Sequence, residues 1–141
     1  MERIKKINPA RKSPVSYGTF GLILFLLLVS VQFLPAQAIA RVEENKKSFG
    51  KVNRGEFVQL EYTIVNDGTE PLIIKNHEVS CTCTSVSYDH APLLPAQKTV
   101  VKVTFDTKTV YEKQDRMVIL FSNNKAGNIK LRFKGYVINN K

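Results

Sequence analysis

The sequence predicts an all-β protein, an immunoglobulin-like β-sandwich of about seven strands, preceded by an N-terminal signal peptide or signal anchor. Three observations lead there. Beyond residue 48 apolar side chains recur at every second position, Pro and Gly clusters interrupt them at short intervals, and no stretch holds a helical period. The front of the chain obeys none of this.

Residues 1–19 are polar and basic, and residues 20–34 form an apolar block, FGLILFLLLVSVQFL, closed by Pro35. Ala36-Gln37-Ala38 and Ala38-Ile39-Ala40 then place small residues two apart, the pattern a signal peptidase accepts. Cleavage after Ala38 or Ala40 is therefore expected. The alternative is an uncleaved anchor: the basic stretch is long, and the apolar block reaches 18 residues when residues 17–19 are included, close to the ~20 of a spanning helix. Residues 1–40 are thus assigned to the leader, 41–47 to a short linker and 48–141 to the sandwich. The compartment this implies is the periplasm or cell envelope, with the domain either free or tethered to the inner membrane.

A chain of 141 residues holds one domain. Its net charge of +9 is unevenly placed: five of the 21 Lys and Arg fall in the first 40 residues against Glu2 alone, giving +4 there and +5 beyond. A basic surplus suits nucleic acid, anionic lipid or an acidic polymer. Export removes nucleic acid, and membrane contact is then left to the N-terminal segment if it is uncleaved.

After a short run at 48–52, residues 56–66 alternate Val58, Leu60, Tyr62 and Ile64 with Gln59, Glu61 and Thr63, as a strand with one buried face requires. Asn66-Asp67-Gly68-Thr69 is a turn of residues that tolerate positive φ. Residues 71–80 resume with Leu72 and Ile74 on one face and Ile73 on the other, and 81–88 continue as a Thr/Ser/Val-rich run. Pro92 and Pro95 keep residues 90–97 out of any central strand. Val101, Val103 and Phe105 mark a strand at 99–107, and Val118 and Leu120 alternate with Met117, Ile119 and Phe121 at 116–122. Residues 123–128 turn. In the last strand, 129–138, Ile129, Leu131, Phe133 and Val137 face one way and Lys130, Arg132 and Lys134 the other. No Trp is present, and the only two cysteines are too close in sequence to bridge opposing sheets. The core must rest on aliphatics and Phe.

Several words of this region occur together in a specific order: Phe49-Gly50-Lys51-Val52 with Gly55-Glu56, Tyr62-Thr63-Ile64-Val65-Asn66-Asp67-Gly68, Pro71-Leu72-Ile73-Ile74, Ser80-Cys81-Thr82-Cys83-Thr84, Leu94-Pro95-Ala96, Val101-Lys102-Val103-Thr104-Phe105-Asp106-Thr107, Ser122-Asn123, and a close at 131–137. In these the chain resembles the bacterial domain-of-unknown-function family DUF1573, whose members are exported immunoglobulin-like modules akin to the Hydin and abnormal-spindle group. The resemblance implies an envelope scaffold or interaction domain without assigned catalysis. It also carries one departure: the family usually places glycine between its two cysteines, where this chain has Thr82, a stiffer residue.

Cys81 and Cys83 are the sharpest chemical feature. In an oxidising compartment two thiols invite a disulfide, yet residues i and i+2 of an extended strand lie about 6.6 Å apart, near the upper limit for a bridge. Three readings stay open: a structural pair, a labile redox pair, and a soft-metal site where Cys81 and Cys83 hold Cu(I). A zinc site would also need His77 and His90, and His77 lies about 13 Å from Cys81 along an unbent strand. His90 with Ser80, Ser85 and Ser87 lacks the elbow and oxyanion turn of a hydrolase, so no enzyme is expected. Neither is a cofactor, copper entering only under the metal alternative. Lys130, Arg132 and Lys134 form a stripe that suits an anionic partner or simply discourages edge association. The partner class that follows is an envelope protein or polymer.

Overall fold

In a computed structural model of the chain, residues 36–139 are described. Most of the expected leader lies outside them. The described part has eight strands: β1 (Ala40–Val42), β2 (Lys46–Asn53), β3 (Phe57–Asn66), β4 (Ile74–Val79), β5 (Thr84–Ser87), β6 (Lys98–Asp106), β7 (Glu112–Ser122) and β8 (Ile129–Ile138). They form two four-stranded sheets, ordered β1-β3-β6-β5 and β2-β8-β7-β4. All pairings are antiparallel except β2 with β8, which is parallel.

The two-residue period decides what fills the space between the sheets. Tyr62, Ile64, Val101, Val103 and Phe105 from one sheet and Val118, Leu120, Leu131 and Phe133 from the other are fully buried. Phe105 and Phe133 meet edge-on with ring centroids 5.3 Å apart, and Phe49 leans on both. With no Trp available, this aromatic trio pins the sheets together. Phe49 reaches it because β2 is irregular between Ser48 and Gly50, where Gly50 has φ +71°. Gly135 on β8 makes the space: any Cβ there would overlap the Phe49 ring.

The proline loop stays outside the sheets as its composition requires, though Leu93 is buried and pairs with Leu72. The loop is held by Asn66, whose buried side-chain amide donates to the carbonyls of Glu70 and Leu93 and accepts from Gly68 N–H. At the other end of β3, buried Thr107 does the same work. Its hydroxyl donates to Glu56 O and accepts from Gly55 N–H, closing the β2–β3 turn onto the end of β6.

Three expectations need correction. The sandwich does not begin at residue 48: residues 41–47, read as linker, contribute most of β1 and the start of β2. Strand β7 starts at Glu112, which takes a φ of +64°, rather than at 116. Gly68 has no positive φ, so turn tolerance is not its role; a Cβ there would run into the backbone of Gln37, Ala38 and Ile39. Those residues lie in the body of the fold. Ala38 is buried in the core. Outside the β1–β3 ladder, six hydrogen bonds hold residues 37–40: Gln37 exchanges them with Thr69 and accepts from Glu70, Ala38 O accepts from Lys125 N–H, Ile39 O accepts from Asp67 N–H, and Ala40 N–H donates to Asn124 Oδ1. At about 0.5–1.5 kcal/mol net for each, the segment contributes a sizeable part of a marginal stability.

Candidate binding face and cysteine turn

Register places the expected stripe in a wider setting. On the outer face of the β2-β8-β7-β4 sheet, Lys130, Arg132 and Lys134 of β8 stand between Lys46 and Lys51 of β2 and Lys113 and Asp115 of β7. Glu78 of β4 faces the same way. Six cations thus oppose two carboxylates across this face. Only Arg132 has a carboxylate partner, Asp115; among the described residues the five lysines have none within salt-bridge distance. The Arg132 guanidinium holds the Asp115 carboxyl below its ordinary value, chiefly by hydrogen bonding, with Lys134 and Lys113 adding attraction. Asp115 in turn raises Arg132.

The opposite outer face is different. There Arg41 pairs with Asp67, Lys98 with Glu43 and Lys102 with Glu61, so each cation of that sheet is neutralised. Lys46 and Lys51 were not legible beside the stripe because the parallel pairing that sets β2 beside β8 joins residues far apart in the chain, and Lys113 was not because β7 begins at Glu112 and not at 116. An open groove of about 420 Å³ beside β2 is lined by Lys46, Lys47, Ser48, Asp115, Arg132 and Lys134 together with Glu44, which pairs with Lys47. Tyr136, Met117 and Ile138 stand exposed on the same face.

Cys81 and Cys83 do not lie in an extended strand. The chain turns between β4 and β5, with Thr84 N–H donating to Cys81 O, and the two Cα atoms approach to 5.2 Å. That is well inside the disulfide range, and the sulfurs are bonded to each other. The premise of an unbent strand was wrong because this turn breaks it. Asp106 N–H donates to Cys83 O, so the turn sits at the end of the sandwich where β3 begins. Residue 38 enters at the end where β3 finishes, ten residues away, or roughly 30 Å at strand rise.

His77 does not reach the sulfurs as a ligand; its ring meets Tyr88 edge-on at 5.8 Å, and Tyr88 meets His90 at 4.7 Å. The two histidines therefore bracket a tyrosine. Among the described residues no group of three or more His, Cys, Asp or Glu gathers in a metal-binding arrangement. Beyond the cysteine turn, Arg116 donates to Gln114 Oε1 while its Nε is buried without a hydrogen-bond partner.

A family model described as a protein of unknown function, DUF1573, matches residues 40–137. The chain belongs to that family. No curated protein matches it. Among solved structures, a protein of unknown function from Porphyromonas gingivalis W83 superposes with a TM-score of 0.65 at 16% identity, covering 72% of this chain and 48% of that one. The chain thus spans about half of that relative. The ASH/PapD-like domain of human CEP192 gives 0.59 at 11% identity, covering 79% and 93%. The VesB protease of Vibrio cholerae gives 0.54 at 17%, covering 72% and 31%. At such identities the likeness is one of fold. This DUF1573 member therefore shares its β-sandwich fold with them.

Proposed function

We propose that this DUF1573 protein is an exported, non-enzymatic binding module of the bacterial cell envelope that holds an anionic envelope polymer against the outer face of its β2-β8-β7-β4 sheet. The observation that carries this reading is the contrast between faces: five unpartnered lysines on one, every cation paired on the other. Unpaired surface cations keep their field available to a polyanion. Exposed Tyr136 and Met117 add apolar contact beside the charges. Export is supported by the composition of the first 40 residues.

Labelled poly-glutamate is a direct probe. Binding should fall steeply with added salt and be lost in Lys130→Gln/Lys134→Gln, while Lys98→Gln/Lys102→Gln on the other face leaves it intact. Equal losses in both double variants would reduce the effect to net charge and remove the face assignment. Cross-linking in intact cells that traps one acidic protein reproducibly would replace the polymer with a protein partner.

A second reading rests on Cys81 and Cys83, whose sulfurs meet at the rim of the sandwich. As a thiol-redox pair they would exchange with external thiols; as a soft-metal site they would bind Cu(I) once reduced. Thiol titration and copper analysis of protein taken from the envelope decide it. No exchangeable disulfide and no bound copper would discard it.

A further inference from the structure

The small residues that mark a processing site are the same residues that build the first edge of the sandwich. Ala36-Gln37-Ala38-Ile39-Ala40 offers two positions for a cut, yet Ala38 is 4% exposed and packs into the core. The two carbonyls that precede Ile39 are both occupied, Gln37 O by Thr69 and Glu70, and Ala38 O by Lys125. Gly68 keeps its α-carbon bare so that this segment can lie against it. Arg41 closes the arrangement with an ion pair to Asp67.

A cut after Ala38 would remove a core side chain and the bonds of Gln37; a cut after Ala40 would also strip Ile39 and shorten β1. Either would expose the Gly68 surface and leave the N–H groups of Thr69, Glu70 and Lys125 without their carbonyls. Upstream, no other pair of small residues two apart stands between the apolar block and Gln37. Only Pro35 and Ala36 separate Leu34 from the first bonded residue.

We infer that the chain is not processed at Ala38 or Ala40, because the folded sandwich sequesters that segment, and that residues 1–34 stay covalently attached as an anchor with no spacer before the domain. The inference rests on the export reading of the leader. Its consequence is functional: the module is a fixture of the membrane surface and binds its partner there, instead of diffusing through the compartment.

The test uses the full chain with a C-terminal tag, expressed in a bacterium, with intact-mass measurement of the membrane and soluble fractions and protease shaving of spheroplasts. The expected result is an unshortened N-terminus in the membrane fraction, with the domain open to external protease. A soluble product beginning at Ile39 or Arg41 would overturn the inference and leave export standing. An unshortened chain that external protease never reaches would remove export itself. Gly68→Ala, whose methyl displaces residues 37–39, should yield cut product in a substantial fraction of molecules. Asn124→Ala, which removes the bond from Ala40 N–H and the turn bond to Gly127 O, serves should the first variant fail to fold. Absence of any cut product from both would show that folding is not the protection, and would overturn the proposal.

Discussion

The hydroxyl of Tyr62 on β3 donates to the carbonyl of Arg132 on β8 at 3.0 Å. One bond thus ties the core of the first sheet to the strand that carries the basic stripe on its far side. Burial, with a smaller contribution from Glu44, pushes the Tyr62 phenol up to about 12. An unfolded tyrosine titrates near 10, so between these values the folded chain binds more protons than the unfolded one. Stability should therefore be full below about pH 10 and fall as pH rises toward 12. Tyr62→Phe should cost about 0.5–1.5 kcal/mol at neutral pH and flatten the alkaline decline, read from urea midpoints at pH 8 and 11.

At the acid end the sign reverses. Asp115 and Glu43 are held below their ordinary values, chiefly by hydrogen bonds from Arg132 and Lys98 respectively. Each contributes stability above its unfolded pKa, near 4, and loses it as pH falls through the lower folded value. Urea midpoints should drop below about pH 4, and Asp115→Asn should make that drop shallower.

The same substitution separates stability from binding. Asp115→Asn removes one of two carboxylates from the basic face. Poly-glutamate should then associate faster and more tightly at low salt, the difference vanishing near 1 M salt. Unchanged affinity at low salt would show that the polymer lies elsewhere.

Packing around Phe49 gives a fourth test. Gly135→Ala forces a methyl into the Phe49 ring and should destabilise by about 1–3 kcal/mol, the usual cost of overpacking. Phe49→Leu frees that space while losing ring contacts with Phe105 and Phe133. The double variant should be less destabilised than the sum of the singles, as expected of residues in contact.

Reduction of the Cys81–Cys83 bond opens a very short loop, so little chain entropy is released. The expected loss is about 1–2 kcal/mol, a fall in Tm of order 5–10 °C for a domain of this size. Cys81→Ser/Cys83→Ser should match the reduced protein. A Tm indifferent to both would deny the pair any structural role.

Alternation of side chains was enough to place the cores of β3, β6 and β8, because a strand with one wet face writes its period directly into the sequence: Tyr62, Val103 and Phe133 fall inward as that period requires. Lys130, Arg132 and Lys134 were legible for the same reason. The place of segment 36–42 in the fold was not, since its small and apolar residues match a processing signal as well as a strand, and its contacts with Gly68 and Asn124 join residues distant in sequence. Nor could local pattern show that Lys46, Lys51 and Lys113 flank the stripe. A chain fixes through its own periodicity which way each side chain points, but which strands become neighbours depends on burying all inner faces at once. That joint requirement, met only in the folded sandwich, sets five unpaired lysines on one surface and turns Ala38 into core.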